Sequence, residues 1–177
     1  MKRLMILICM MLSGGQALAV GNCQTDTIVT ASTPNTDFTV NGNGTVTHHK
    51  TGLMWKQCSE GLSGSDCTTG AVSTYSWQAA LLHVKTFNDD GGFAGYNDWR
   101  LPNIKELNSI REIQCISPAI NATIFPQTTG QLGIEYWSAT PYASNASEAW
   151  TVFFSTGSGN AEPKSSMYYV RLVRGGQ

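Results

Sequence analysis

The sequence predicts a small α+β domain in which two helices pack on short antiparallel strands and disulfides hold the loops. Two segments have the spacing of amphipathic helices, and β-prone runs precede and follow them along the chain. Helices and strands that occupy separate parts of a chain are typical of α+β folds rather than of a parallel sheet. Four cysteines outside the N-terminal apolar segment give an even number for disulfide pairing.

The first 19 residues have the three parts of a cleavable secretion signal. Residues 1–3 are cationic, residues 4–12 form an uninterrupted apolar run, and the segment ends in Ala17-Leu18-Ala19. As a helix, the apolar run would rise about 14 Å, too little for a hydrocarbon core of about 30 Å. We therefore predict a signal peptide cleaved after Ala19, no stable membrane insertion, and a mature protein that is secreted, periplasmic or at the cell surface.

The mature chain is expected to be mildly acidic. Loss of Lys2 and Arg3 with the signal leaves 9 basic and 12 acidic residues, a formal charge of −3. An acidic chain without a run of Lys or Arg is a poor nucleic-acid binder, so we exclude that class of partner. We interpret residues 20–37, rich in Thr, Asn and Pro, as an extended N-terminal arm, and residues 38–177 as one domain.

Cys23, Cys58, Cys67 and Cys115 remain after cleavage and predict two disulfides with three possible connectivities. We favour Cys58–Cys67 because the residues between them are typical of a turn-rich loop that closes easily. Cys23–Cys115 then follows by elimination. Lipidation of Cys23 is disfavoured because the preceding Asn22 is not small, and a metal site is disfavoured because the spacing does not match C-x-x-C pairs.

Strands are predicted in both the first and the last third of the domain. Residues 38–40 and 45–47 flank an Asn/Gly-rich turn and predict a hairpin, which residues 53–55 extend. The last third is predicted as three strands, at residues 136–140, 150–154 and 168–174.

Two helices are predicted between these strands. The first begins at Ser76, and its apolar stripe consists of Trp77, Ala80, Leu81, Val84 and Phe87. The second begins at Asn103, where Glu106 has the position that completes a capping box.

The sequence contains no pattern that predicts catalysis or metal binding. His48 and His49 are adjacent on a strand and therefore point to opposite faces. His83 lacks a partner at the helical spacing that metalloprotease sites use. Because a nucleophile motif and a phosphate-binding glycine loop are also missing, we predict a protein that is not an enzyme and that holds no cofactor and no metal.

Several short motifs follow one another along the chain. They are T-G-L-M-W at residues 51–55, S-W-Q-A at 76–79, D-W-R-L-P at 98–102, Y-W-S at 136–138 and V-R-L-V-R-G-G at 170–176. In this order, over about residues 38–176, they resemble the Lcl C-terminal domain family (DUF1566), named after a collagen-like adhesin of Legionella. The D-W-R-L-P and V-R-L-V-R-G-G motifs are fairly specific in combination.

This resemblance implies a C-type-lectin-like fold and an extracellular role in adhesion or glycan binding, although a fold alone does not fix a function. The motif residues are then expected to be scaffold, namely Trp55, Trp77, Trp99, Arg100, Leu101, Pro102, Trp137, Trp150 and Arg171. Arg100 is expected to bind a carboxylate or loop carbonyls. Calcium-mediated sugar chelation is not expected, because Lys164 follows Glu162-Pro163 where C-type lectins have an amide or carboxylate ligand.

The candidate binding loops are two polar segments, residues 141–148 and 155–166, because loops on a rigid scaffold usually carry binding. The candidate ligand-binding residues in and beside them are Tyr142, Asn145, Glu148, Asn160, Lys164 and Tyr168. An exposed Trp or Tyr would also provide a platform for a sugar ring. We predict a secreted, non-catalytic module that binds a glycan or another cell-surface ligand. The alternatives are an envelope or pilus protein-interaction domain and an enzyme of a formylglycine-generating branch, and a homo-oligomer remains open.

Overall fold

A computed structural model describes residues 22–130 and 133–175, and the predicted signal peptide of residues 1–19 lies outside them. The elements of the described chain, in order, are β1 (Asn22–Cys23), a 3₁₀ helix (Asn35–Asp37), β2 (Phe38–Val40), β3 (Thr45–His48), β4 (Leu53–Lys56), β5 (Leu62–Ser63), β6 (Thr69–Gly70), α1 (Trp77–Asp89), α2 (Ile104–Ser109), β7 (Cys115–Ile116), β8 (Tyr136–Pro141), β9 (Glu148–Phe153), β10 (Ser158–Pro163) and β11 (Val173–Arg174). Mixed helices and small antiparallel sheets confirm the predicted α+β class.

Four strands form one antiparallel sheet in the order β11-β4-β3-β2. The predicted hairpin is present, with Val40 opposite Val46 across β2 and β3. On β4, Trp55 pairs with Val46 on one side and with Val173 of β11 on the other. Trp55, Val46 and Val173 are all fully buried, so the end of the described chain pairs with β4 in the core.

Strands β8, β9 and β10 form a second antiparallel sheet in the order β10-β9-β8. The prediction of a loop throughout residues 155–166 was wrong, because β10 pairs in register with all of β9. Gly159 and Asn160 are residue types with low strand propensity. The strand is therefore held by pairing with β9 rather than by its own local preference.

The predicted strand at residues 168–174 is shorter than expected. Only Val173–Arg174 forms β11, whereas Tyr168 bridges to Tyr75 and Tyr169 bridges to Tyr136 of the other sheet. The segment therefore passes between the two sheets and joins a different partner at each step.

Both helices begin where the sequence predicts. Ser76 caps α1 by accepting a hydrogen bond from the Ala79 N–H, and Asn103 and Glu106 form the capping box of α2. The Glu106 carboxylate also accepts two hydrogen bonds from Arg100, both 2.7 Å long. This bidentate pair joins the D-W-R-L-P motif to the start of α2.

The apolar side of α1 is narrower than its pattern predicts. Ala80 and Val84 are buried, but Leu81 is 38% exposed. In contrast, α2 buries Leu107 fully, and Ile110 is fully buried directly after it. The short second helix is thus inserted more completely into the core than the longer first one.

Arg171, from the V-R-L-V-R-G-G motif, is 0% exposed in the centre of the fold. Its guanidinium donates to the carbonyls of Lys56 and Gln57 and to the hydroxyls of Ser59 and Thr128. A buried charge is tolerated only when it is hydrogen-bonded in this way. Arg171 therefore fixes the chain after β4 against the final segment.

The structure contains both favoured disulfides, Cys23–Cys115 and Cys58–Cys67, with sequence separations of 92 and 9 residues. The first joins β1 to β7, and the second closes the loop that follows β4. In the chain-entropy model they stabilise the fold by about 4 to 5 and about 3 kcal/mol.

Glu112 holds the segment after β1 against the domain. Its carboxylate accepts hydrogen bonds from the backbone N–H groups of Ser32, Thr33 and Gln114 and from the Thr33 hydroxyl. Burial alone would raise the pKa of Glu112, but these hydrogen bonds outweigh it and lower the pKa below its usual value. Part of the predicted arm is therefore tied to the domain at a defined place.

Candidate functional site

The turn between β8 and β9 carries an aromatic pair that is open to solvent on one side. The rings of Tyr142 and Trp150 are 5.1 Å apart in an edge-to-face arrangement, and both residues are half-buried. Neither the Tyr142 hydroxyl nor the Trp150 indole N–H has a hydrogen-bond partner in the part of the chain that the structure describes. We call Tyr142, Trp150, Asn145 and Glu148 the Tyr142 platform.

The backbone of this turn is fixed by local hydrogen bonds. The Tyr142 N–H donates to the Glu148 carbonyl, and the Glu148 N–H donates to the Asn145 carbonyl, each at 3.0 Å. The Asn145 side chain accepts from the N–H and hydroxyl of Ser147 and donates to Glu148 Oε1 at 3.0 Å. The platform is therefore preorganised, which reduces the entropy lost on binding.

Lys164, directly after β10, anchors the same turn. Its backbone N–H donates to the Ser147 carbonyl at 2.9 Å, and its Nζ donates to the Ala146 carbonyl at 2.7 Å. The ammonium also lies 4.4 Å from the centre of the Trp77 ring. Of the predicted ligand-binding residues, Tyr142, Asn145, Glu148 and Lys164 are thus brought together.

Asn160 and Tyr168 lie on the other face of the sheet. Successive strand residues alternate between faces, and Asn160 pairs with Thr151, a neighbour of Trp150. The Asn160 side chain donates to Glu135 Oε1 at 2.9 Å, and the Tyr168 hydroxyl donates to Glu162 Oε2 at 3.0 Å. These two predicted residues therefore do not join the Tyr142 platform.

The residues on that second face form a group that we call the Glu135 cluster: Glu135, Thr151, Asn160, Glu162 and Tyr168. Glu135 and Thr151 are buried, and the Thr151 hydroxyl donates to the Glu135 carboxylate. Burial chiefly, and the charge of Glu162, raise the pKa of Glu135 above its usual value. Burial and the hydrogen bond to Glu162 raise the pKa of Tyr168 to about 12.

The tryptophans of the chain differ in what covers them. Three are at most 1% exposed: Trp55, Trp99 and Trp137. Trp77 is half-buried and donates its indole N–H to the Ser138 carbonyl at 2.8 Å. Trp150, which the sequence assigned to the scaffold, is the one whose open N–H and ring belong to the candidate site. The sequence pattern does not reveal that Trp150 is partly exposed, because Trp150 lies on the same strand face as Val152, which is fully buried.

A second polar group lies beside α1. Lys56 Nζ contacts Glu60 Oε1 at 2.6 Å, and His83 Nε2 contacts Glu60 Oε2 at 2.7 Å. Burial alone would raise the pKa of Glu60, but the His83 hydrogen bond and the Lys56 charge outweigh it and lower the pKa. Lys56 and Glu60 are both buried, so each charge is neutralised where it is desolvated.

Two observations on residues 22–130 and 133–175 concern metal binding and membrane crossing. Within these ranges, no group of three or more His, Cys, Asp or Glu side chains is placed to hold a metal ion. No helix in the same part of the chain is long and apolar enough to cross a membrane.

The fold and the site define an α+β domain, stapled by two disulfides, with an open aromatic platform on one sheet. The chain belongs to the Lcl C-terminal domain family, whose model matches residues 44–174. This match confirms the resemblance seen in the sequence motifs and suggests an adhesin-like domain. No curated protein shows significant similarity to the chain.

Proposed function

We propose that this protein is a secreted, non-catalytic binding module on a C-type-lectin-like fold that recognises cell-surface glycans through the Tyr142 platform. The observation that carries the proposal is the pairing of two half-buried aromatic rings with polar groups that have no partner among the described residues. In most of the fold, by contrast, buried polar groups are hydrogen-bonded, as expected for scaffold.

The chemistry of the platform fits a sugar ring. One side of a pyranose is lined with C–H groups, which gain free energy when they pack on an aromatic surface. The hydroxyls of such a ring need donors and acceptors at the edge of that surface. The Trp150 N–H, the Tyr142 hydroxyl and the second carboxylate oxygen of Glu148 provide both.

The proposal is tested by a glycan array with the mature domain, followed by calorimetric titration of the best ligand. We expect binding that survives EDTA. Tyr142→Ala and Trp150→Ala should each weaken it about thirtyfold, because a central aromatic residue contributes about 2 kcal/mol or more at an interface. Tyr96→Ala is the matched control, since Tyr96 is a 37% exposed aromatic residue that packs on Arg174 rather than on the platform.

An array without signal, or affinity that the Tyr142 and Trp150 variants leave unchanged, would contradict glycan recognition by the platform. Co-purification of one envelope or pilus protein by a domain that gives no glycan signal would favour the protein-interaction alternative instead.

A further inference from the structure

A cavity of about 350 Å³ lies between the β2–β3 turn, the disulfide-closed loop after β4, and the Phe93 ring. This volume is at the lower end of the range of small-molecule sites, roughly 300–1,000 Å³, and therefore suits one compact ligand. Its apolar walls include Val40, Leu62 and Phe93. The cavity is built from other elements than the Tyr142 platform, which belongs to the β8–β9 turn.

The polar groups of the cavity offer hydrogen-bond donors. Asn43 lines it, and Asn43 Oδ1 accepts from both the N–H and the hydroxyl of Thr45. These two bonds fix the orientation of the amide, and its Nδ2 group has no acceptor among the described residues. A ligand in the cavity can therefore be held by an acceptor oxygen directed at Asn43 Nδ2.

Lys56 holds its ammonium beside the aromatic wall, 5.2 Å from the centre of the Phe87 ring. It lines the cavity, and its Nζ lies 5.3 Å from the centre of the Phe93 ring. An ammonium has three N–H groups, and in the described chain the one carboxylate that Lys56 contacts is Glu60. Because Glu60 already balances the Lys56 charge, an added anion would meet the neighbouring carboxylate, and an uncharged acceptor fits better.

The geometry points to a site for the acetamido group of an N-acetylated sugar. The acetamido carbonyl provides the acceptor for Asn43 Nδ2 and the Lys56 ammonium, and its methyl group packs on Leu62 and Phe93. The group is uncharged, as the Lys56–Glu60 pair requires. This site is separate from the Tyr142 platform and does not depend on the function proposed for it.

The test is an NMR titration of the ¹⁵N-labelled mature domain with methyl N-acetyl-β-glucosaminide and, in parallel, methyl β-glucoside, which lacks the acetamido group. We expect shifts of the Asn43 side-chain NH₂ and of backbone amides lining the cavity, with an affinity at least about tenfold higher for the acetamido sugar. Equal affinities for the two sugars, or no shifts at the cavity, would overturn the inference.

Asn43→Asp is the sharpest variant, because it keeps an acceptor for Thr45 and replaces the Nδ2 donor with a charged carboxylate oxygen, which repels the acetamido carbonyl. It should weaken binding of the acetamido sugar about tenfold or more. Val40→Trp fills the cavity mouth from a position that is 47% exposed and should abolish binding. Thr39→Trp is its control, because adjacent strand residues face opposite sides, and it should bind as the native protein does.

The two sites are distinguished by a Tyr142→Ala, Trp150→Ala double variant. We expect this variant to keep the cavity shifts unchanged while it loses array binding through the platform. The inference would be overturned if the double variant lost the Asn43 shifts, or if Asn43→Asp and Val40→Trp both bound with native affinity. Either result would place the sugar outside the cavity and would leave the proposal for the platform unaffected.

Discussion

The two faces of the β8–β9–β10 sheet carry polar groups of opposite character. On one face, hydrogen bonds join the members of the Glu135 cluster to one another, with Thr151 and Asn160 both donating to Glu135. On the other face, the Tyr142 platform leaves its aromatic N–H and O–H groups open. Trp150 and Thr151 are adjacent on one strand, yet Trp150 belongs to the candidate binding surface and Thr151 to the scaffold.

The difference shows how to separate scaffold from binding surface in this fold. A polar side chain that is buried and saturated contributes to stability, and its loss leaves a partner unsatisfied. A half-buried aromatic side chain still packs on its neighbours, but its open polar group and exposed ring surface are available to a ligand. Substitutions on the two faces should consequently separate unfolding free energy from ligand affinity.

Among substitutions that compare the two faces, Thr151→Val should have the largest effect on the free energy of unfolding. The substitution keeps the shape of a fully buried side chain and removes the donor to the Glu135 carboxylate. We expect the free energy of unfolding in urea to fall by about 1 to 3 kcal/mol, with ligand affinity at the platform unchanged. Unchanged stability together with weakened binding would reverse the roles of the two faces.

The sequence predicts those parts of the fold that local chemistry determines. Ser76 and Asn103 mark the helix starts because capping depends on side chains only a few residues away. The turn-rich loop between Cys58 and Cys67 likewise indicates its own closure. Strand β10 could not be predicted, because its Ser, Gly and Asn residues form a strand only when β9 lies beside them.

The site is less predictable than the fold, because exposure depends on what covers a residue. Residues 141–148 are recognisable as a polar turn, and the structure places Tyr142, Asn145 and Glu148 together there. Trp150 shares its strand face with the buried Val152, so periodicity cannot show that only one of them is covered. Glu135 directly precedes β8, Thr151 lies on β9 and Asn160 lies on β10, and no local pattern connects them.

A smaller effect is expected in the way the stability of the protein depends on pH. The pKa of Glu135 is raised by burial, so folding disfavours its ionised form. Its contribution to stability should therefore increase as the pH falls through this raised pKa toward the ordinary value of 4.5. We expect the stability of the native protein relative to Glu135→Gln to be greater near about pH 5 than near about pH 7, in urea unfolding at both values.

Glu112→Gln is the control of opposite sign. The pKa of Glu112 is lowered, so the stability it contributes is present above its ordinary pKa and is lost as the pH falls through its lowered value. The stability of the native protein relative to this variant should decrease on acidification. A difference between native protein and Glu135→Gln that stays constant or decreases would show that Glu135 is not held in a disfavoured ionised state.

The smallest effect is expected at the boundary between the faces, where Lys164 anchors the platform turn. Lys164→Met keeps an apolar stem beside Trp77 and removes the hydrogen bond to the Ala146 carbonyl. We expect a loss of about 0.5 to 1 kcal/mol in unfolding free energy and a severalfold weaker glycan affinity, because the turn is less preorganised. Lys105→Met, at an exposed lysine of α2 without a polar partner among the described residues, should change neither quantity. If Lys164→Met also changes neither, the turn is held by its own backbone hydrogen bonds, and the preorganisation assigned to Lys164 is wrong.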